Sequence, residues 1–207
     1  MKQQILMIHG GDSFAEYELF LELLRTKPIP DPLGLEKSKG WKDTLSERLG
    51  EEYEVYYPKM PNKENARYKE WKIWFERYVE FLRESVVLIG HSQGACFLAK
   101  YLSENKIPVS VRALYLVAGP FESGSYTGAD DGGDFGFDPS KLTGLKEQVD
   151  EICIFHSKDD PVVPFSQALR YKEALSEAEL VAFEDKNHFL LEEFPELVET
   201  IKKLTSN

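Results

Sequence analysis

The segment SVVLIGHSQGACFL at residues 85–98 constrains the fold of this chain more than any other. It opens with an apolar, β-branched run, Val86–Ile89, which is typical of a buried strand. Apolar residues at positions 95, 98, 99 and 102 have helical spacing, so they predict a helix after the run. The residues between them, Gly90-His91-Ser92-Gln93-Gly94, form a Gly-x-Ser-x-Gly motif. The sequence therefore predicts a serine in a tight turn between a strand and a helix.

This arrangement is typical of a nucleophile elbow. Gly90 and Gly94 lack a Cβ atom and relieve the crowding of so tight a turn. The hydroxyl of Ser92 is then exposed beside the helix N-terminus, where free N–H groups favour a developing negative charge. The alternative is a glycine-rich turn in which Ser92 only caps the helix. Because a strand and a helix flank the motif, we favour the nucleophile.

Composition limits the classes of protein and partner. With 207 residues we expect one domain, residues 1–207, with a sizeable core. The formal net charge of −11 argues against a nucleic-acid partner, and no cluster of basic residues indicates binding to an anionic membrane. Neither a basic leader nor an apolar stretch of about 18 residues occurs, so we predict a cytoplasmic protein. The oligomeric state stays open.

The two cysteines and the acidic residues do not indicate a metal site. Cys96 lies in the helix of the elbow and Cys153 in an apolar run, so we expect two buried core residues rather than a disulfide. The segment Glu122–Asp138 is rich in Asp and Gly but lacks the spacing of a calcium loop. It is either a surface loop or a substrate loop. A second irregular segment, Lys27–Gly40, contains three prolines.

Predicted strands and helices alternate along the chain. The strands are expected at 3–8, 53–57, 86–89, 111–118, 151–155 and 179–183, and the helices at 14–24, 41–49, 66–82, 95–102, 166–175 and 195–204. This alternation predicts an α/β fold with a mainly parallel, twisted sheet and helices on both faces. The chain has little length to spare for a large lid domain.

A serine nucleophile needs a general base, and the base needs an acid that orients it. In α/β enzymes of this kind the chain order is serine, acid, histidine. Asp159 and Asp160 follow one predicted strand, and His188 follows the next. The histidines at positions 9, 91 and 156 fit this order less well. Ser92 and His188 are therefore candidate nucleophile and base, and the strand alone does not choose between the two aspartates.

The oxyanion of acyl transfer requires two N–H donors. The N–H of Gln93, directly after the serine, is one candidate. The other is expected from the Gly11–Asp12 turn after the first strand, because that loop supplies a donor in serine hydrolases of this type. The alternative for this turn is a plain connection in which Asp12 or Ser13 caps the next helix.

The segments HGGDSF, PKMPN, GHSQG, SKDDPVVPF and NHF together resemble the α/β-hydrolase superfamily. Within it the chain is similar to small serine hydrolases of the retinoblastoma-binding-protein and YdeN-like type. The resemblance implies the α/β-hydrolase fold, with Ser92 as nucleophile, Asp160 as acid and His188 as base. It implies hydrolysis of a small acyl substrate, most simply a carboxylic ester, with no cofactor and no metal. A peptidase or amidase, or a non-catalytic interaction module, remains the alternative.

Asp160 also has a local argument in its favour. Pro161 disfavours the α region for the residue before it, so Asp160 is expected to have an extended backbone. Such a backbone suits a carboxylate that projects from a strand end towards the loop of His188. Asp159 is then expected to face solvent or to bind nearby backbone groups.

Overall fold

The computed structural model describes residues 1–29, 39–122 and 131–205. Six strands form one sheet in the order β2-β1-β3-β4-β5-β6, and every neighbouring pair is parallel. They are β1 (Gln3–Ile8), β2 (Tyr53–Tyr56), β3 (Val86–His91), β4 (Val111–Val117), β5 (Val149–Ser157) and β6 (Glu179–Phe183). The predicted α/β class with a parallel sheet is confirmed.

Helices cover both faces of this sheet. They are α1 (Tyr17–Thr26), α2 (Trp41–Leu49), α3 (Tyr68–Val79), α4 (Gln93–Glu104), α5 (Ser166–Ala174) and α6 (Pro195–Thr205). Because successive side chains of a strand point to opposite faces, β1 feeds two cores. Leu6 and Ile8 pack with residues of α3, α4 and α5, whereas Ile5 and Met7 pack with residues of α2 and α6.

Some boundaries differ from the sequence-based expectation. Helix α1 begins at Tyr17 rather than at residue 14. Phe14 is fully buried ahead of the first turn, so its apolar side chain belongs to the core without belonging to the helix. The 3-10 segment Pro139–Glu147 was not predicted, because it has no helical spacing of apolar residues that would extend over several turns. Helix α2 agrees with its predicted bounds.

The two irregular segments are only partly described, since residues 30–38 and 123–130 lie outside the described residues. The described end of the second segment has a structural role. Asp134 accepts a hydrogen bond from the N–H of Tyr68 at the start of α3. Phe135 is buried and its ring centroid lies 5.2 Å from that of Trp71. This part of the segment therefore fastens α3 to the core.

Both cysteines are buried, as predicted, and they belong to opposite cores. Burial raises the pKa of the Cys153 thiol to about 12, and the charges of Glu179 and Glu151 add to the shift. Cys153 is thus an unreactive core residue. Among the described helices, none has both the length and the apolar character needed to cross a membrane.

The parallel sheet brings distant residues to one edge. The carboxyl ends of parallel strands meet at the same side of a sheet, and ligands bind there in open α/β folds. The chain continues from β1 into residues 9–12, from β3 into Ser92, from β5 into Asp160 and from β6 towards His188. All predicted site residues therefore follow strand ends on this edge.

Candidate active site

Ser92 lies in a strained turn between β3 and α4. Its backbone has φ 54° and ψ −124°, a conformation that non-glycine residues rarely adopt. Its N–H donates to the carbonyl of Val117 at 2.8 Å, which ties the turn to β4. The hydroxyl makes no capping hydrogen bond to the helix. Ser92 is thus held at the helix end with its hydroxyl available for another partner.

The glycines of the motif allow backbone segments to approach closely. A Cβ atom on Gly94 would lie 2.3 Å from the carbonyl oxygen of Ile8 and 2.6 Å from that of His9. On Gly90 it would lie 2.5 Å from the Cα atom of Ala95. Backbone atoms cannot move aside as a flexible side chain can, so both positions need glycine. The elbow is therefore packed directly against the end of β1.

His188 faces the serine from the loop after β6. Its Nε2 atom lies 3.0 Å from the Ser92 Oγ atom. The residues on either side, Asn187 and Phe189, both have positive φ, 47° and 52°. The N–H of the Trp41 indole holds this loop by donating to the carbonyl of Phe189 at 2.8 Å. His188 is thus placed by a tight turn that is fastened to the start of α2.

Asp160 completes the row of side chains. Its Oδ2 atom lies 2.8 Å from the Nδ1 atom of His188. Its Oδ1 atom accepts the N–H groups of Val162 and Val163 at 2.8 and 2.9 Å. His156 supports the same loop, because its Nε2 atom donates to the carbonyl of Val163 at 2.8 Å. The carboxylate is buried and its orientation is fully determined by these partners.

Asp159 has a different set of partners. Its Oδ1 atom accepts the hydroxyl of Ser157 at 2.5 Å and the N–H of Asn187 at 2.9 Å. Asp159 therefore binds backbone and hydroxyl groups, and it is the Asp160 carboxylate that contacts the His188 ring.

Two further histidines, His91 and His9, lie beside this site and are neutral. Burial lowers the pKa of His91 well below its usual value, and the Lys42 charge adds to the shift. Burial also lowers the pKa of His9, opposed by the hydrogen bond to the Gly10 carbonyl. The Nε2 atom of His9 accepts the N–H of Met60 at 2.8 Å. Both rings are thus occupied by structural hydrogen bonds.

The predicted oxyanion donors do not all fit the structure. Gln93 is the first residue of α4, where N–H groups point out of the helix end. The N–H of Asp12, however, donates to the carbonyl of Lys63 at 2.8 Å. Asp12 is therefore not available as a donor, and the prediction for this residue does not fit the structure. Gly11 lies against the same Lys63 carbonyl, because a Cβ atom on Gly11 would be 2.5 Å from its oxygen. Gly10 lies directly beside Ser92.

A cavity of about 680 Å³ opens in front of Ser92 and His188. Its size is in the range of small-molecule sites. Tyr57, Met60 and Val162 give it an apolar wall, and lysine side chains contribute to the rest. A small molecule can thus approach the Ser92 hydroxyl from solvent.

Comparison with known proteins decides the family. A family model described as serine hydrolase matches residues 33–205. The chain belongs to this family of serine hydrolases. This serine hydrolase is 28% identical over 155 residues to the serine hydrolase RBBP9 of Rattus norvegicus, covering 70% of this chain and 74% of that protein. It is 27% identical over 135 residues to YdeN of Bacillus subtilis (strain 168), covering 65% of this chain and 69% of that one.

Solved structures support the fold of this serine hydrolase. The crystal structure of the ydeN gene product from B. subtilis matches with a TM-score of 0.71 at 20% identity, over 100% of both chains. An esterase domain from Rhodothermus marinus matches with a TM-score of 0.55 at 17% identity, over 98% of this chain and 84% of that one. The α/β-hydrolase fold is thereby confirmed.

Sequence reasoning missed the residues of α2 and β3 that support His188, the candidate base. Trp41 anchors the His188 loop, and Lys42 contacts His91, which in turn contacts the His188 backbone. The apolar spacing of α2 marks Trp41 only as a core residue, and no local pattern links it to position 188. His91 directly precedes Ser92 in the sequence, but the carbonyl group that it contacts belongs to His188, which is 97 residues away.

Proposed function

We propose that this serine hydrolase cleaves small carboxylic esters through an acyl-enzyme on Ser92. The observation that carries the proposal is the continuous row of hydrogen bonds from Asp160 to His188, at 2.8 Å, and from His188 to Ser92, at 3.0 Å. Distances of this kind permit proton transfer between nucleophile and base. The strained backbone of Ser92 supports the same reading, since such strain concentrates at functional sites.

In the first half of the reaction, His188 takes the proton of Ser92 at Nε2 while Oγ attacks the ester carbonyl. The Nδ1 proton of His188 stays in the hydrogen bond to Asp160, which favours the tautomer with a free Nε2 lone pair. The carbonyl oxygen gains the negative charge, and the N–H groups of Gln93 and Gly11 bind it. His188 then gives its new proton to the departing alcohol, and the acyl group stays on Ser92.

In the second half, water takes the place of the alcohol. His188 accepts one proton from the water, whose oxygen attacks the acyl carbon. Collapse of the intermediate breaks the bond to Oγ, and His188 returns the proton to Ser92. The carboxylic acid leaves, and the enzyme is restored. Each oxyanion donor of this type contributes roughly 10²–10³ in rate.

The substrate is expected to be small and soluble. The cavity of about 680 Å³ suits a short acyl group. The described wall has one strongly exposed large apolar residue, Leu190, and an area of that kind is too small to bind a lipid surface. We therefore expect p-nitrophenyl esters of two to six carbons to be cleaved faster than those of twelve or more. Faster cleavage of the long esters, increasing with a lipid interface, would contradict this expectation.

The decisive experiment combines labelling with a matched pair of substrates. A fluorophosphonate should add once to the intact protein, as seen by mass spectrometry, and should not add to the Ser92→Ala variant. Turnover of p-nitrophenyl butyrate should exceed that of butyryl-p-nitroanilide, which carries the same acyl group on an amide. An equal adduct on both proteins, or none on either, refutes the serine mechanism. Faster cleavage of the anilide would instead assign an amidase.

A further inference from the structure

The wall of the active-site cavity is basic, although the chain as a whole has a formal net charge of −11. Lys42, Lys59 and Lys63 all line it. Among these, the Nζ atom of Lys63 lies 3.8 Å from the carboxylate of Glu64. Within the described part of the chain, Lys42 and Lys59 have no carboxylate within 4.0 Å. Among the residues that the structure describes, these two ammonium groups thus have no partner in an ion pair.

The acidic residues of the wall do not neutralise this pair. Asp12 binds the ammonium group of Lys27 at 3.2 Å, and Glu64 is the neighbour of Lys63. Both carboxylates are therefore already engaged with another lysine. The local charge facing the substrate is positive where the average surface charge is negative.

Lys42 is half-buried on the first turn of α2. Its Nζ atom lies 3.2 Å from the Nδ1 atom of His91, which is neutral. Burial lowers the pKa of Lys42 to about 8, opposed by Asp43, and the charges of Lys63 and Lys59 add to the lowering. Holding a lysine in this position costs free energy that a bound anion would offset.

Lys59 reaches the same cavity from the chain after β2. Its Nζ atom lies 4.6 Å from the centre of the Tyr57 ring, which also lines the wall. The ring stabilises the cation while leaving its N–H donors open to an anion. Burial is the main cause of the lowered pKa of Lys42, and repulsion from the charges of Lys63 and Lys59 adds to it. An anion between Lys42 and Lys59 would turn this repulsion into attraction.

We propose that the substrate carries a carboxylate near its ester group, and that Lys42 and Lys59 bind this carboxylate while Ser92 attacks the ester. The inference rests on the proposed function, since it identifies the substrate of the same site. It assigns the enzyme to monoesters of dicarboxylic acids and to other acidic esters. Both lysines act here as specificity-determining residues, and neither takes part in the proton transfers.

The test uses two esters that differ in one group. Mono-p-nitrophenyl adipate and p-nitrophenyl hexanoate have acyl chains of six carbons, and a carboxylate in the first replaces the terminal methyl in the second. For the wild type we expect kcat/KM to be about tenfold higher for the adipate, with the preference decreasing as salt is added. Lys42→Met and Lys59→Met should each lower the adipate-to-hexanoate ratio at least threefold. Rates of the Ser92→Ala variant serve as the blank.

Lys203→Met is the matched control. It removes the same charge from an exposed position on α6, beside the amino end of β5 and far from the cavity. Its ratio should equal that of the wild type. Equal kcat/KM for the two esters in the wild type, or a ratio unchanged in the Lys42→Met and Lys59→Met double variant, would overturn the proposal.

A binding measurement separates this proposal from the hydrolysis itself. Monomethyl adipate and methyl hexanoate are titrated into Ser92→Ala by calorimetry, and the adipate should bind at least fivefold more tightly. If no ester is cleaved but the adipate binds preferentially, the proposed reaction fails and the anion site stands. If both esters are cleaved and neither binding nor turnover distinguishes them, the anion site fails alone. Acetate and inorganic phosphate are also compared as competitors of monomethyl adipate binding. Stronger competition by acetate indicates a carboxylate site, and stronger competition by phosphate indicates a phosphate site.

Discussion

The Nε2 atom of His91 lies 2.9 Å from the backbone carbonyl oxygen of His188. Because a carbonyl only accepts, Nε2 carries a proton, and Nδ1 is left to accept from the ammonium group of Lys42 at 3.2 Å. One neutral tautomer satisfies both contacts. His91, the residue before the proposed nucleophile, therefore holds the backbone of His188, the proposed base. Lys42 on α2 fixes the tautomer of His91.

His91 is accordingly a positioning residue, and its removal should affect kcat more than KM. For His91→Ala we expect kcat to fall about tenfold to a hundredfold, because a small displacement of a reacting group has effects of this size. His91→Gln, whose amide N–H can reach the same carbonyl, should restore part of the loss. Steady-state kinetics on p-nitrophenyl butyrate measures both variants. An unchanged kcat in a folded His91→Ala variant contradicts the role.

The two neighbouring aspartates should differ sharply. In Asp160→Asn the amide NH₂ group faces Nδ1 of His188, so the ring is driven to the tautomer with a protonated Nε2 that cannot accept the serine proton. We expect kcat to fall by about 10⁴, as in serine proteases. Asp159→Asn keeps an oxygen that can accept from Ser157 and Asn187, and we expect a loss of less than about tenfold. Circular dichroism verifies that both variants fold; the reverse ranking in kcat would move the acid to Asp159.

A substitution at Gly94 should affect stability directly. The new methyl group of Gly94→Ala would lie 2.3 Å from the carbonyl oxygen of Ile8, so β1 and α4 must separate. We expect a loss of about 3 kcal/mol in the free energy of unfolding, measured in urea. Gly144→Ala is the control, because nothing lies within 4 Å of its Cβ position. A loss of equal size in the two variants would show that the close packing of the elbow is unimportant.

The preference for an anionic ester should depend on pH through Lys42. Its pKa is lowered to about 8, so the ammonium group is charged below that pH and neutral above it. The adipate-to-hexanoate ratio of kcat/KM should therefore be high below pH 8 and decrease as the pH rises through this value. Dividing by the hexanoate profile removes any dependence on pH that the two esters share. A ratio that is constant from pH 6 to 10 contradicts a contribution of Lys42.

The charge of Lys59 supplies a second test of this pH dependence. It is one of the causes of the lowered pKa of Lys42, together with burial and Lys63, and Asp43 opposes them. In Lys59→Met the repulsion is removed, so the pKa of Lys42 should rise. The adipate-to-hexanoate ratio of kcat/KM that remains should then decrease at a higher pH than in the wild type. A shift to lower pH would mean that another group controls the preference.

The sheet and the elbow could be predicted because their signals are local. The β-branched run of β3 and the glycines around Ser92 lie within ten residues of each other, and so do strand and helix signals elsewhere in the chain. The order of serine, acid and histidine along the chain then indicated which loops would meet. Pro161 pointed to Asp160, and the structure places that carboxylate against His188.

What could not be predicted depends on contacts between distant segments. The N–H of Asp12 is occupied by the carbonyl of Lys63, and no pattern near residue 12 announces that pairing. The predicted start of α1 was wrong because Phe14 packs in the core ahead of the helix and is not part of its apolar face. Lys42 follows Trp41 in an ordinary amphipathic helix, and its place in the cavity wall becomes visible only in three dimensions.

The row of hydrogen bonds at the site has a consequence for how the protein is made. Ser92 and His188 are separated by 96 residues. At about 5–20 residues per second, the ribosome needs roughly 5–20 s to synthesise the chain between them. During that interval Ser92 lacks its histidine partner, since His188, the proposed base, has not been translated. Under the proposed mechanism, the nascent polypeptide is thus inert towards esters until β6 joins the sheet and the loop that follows it docks.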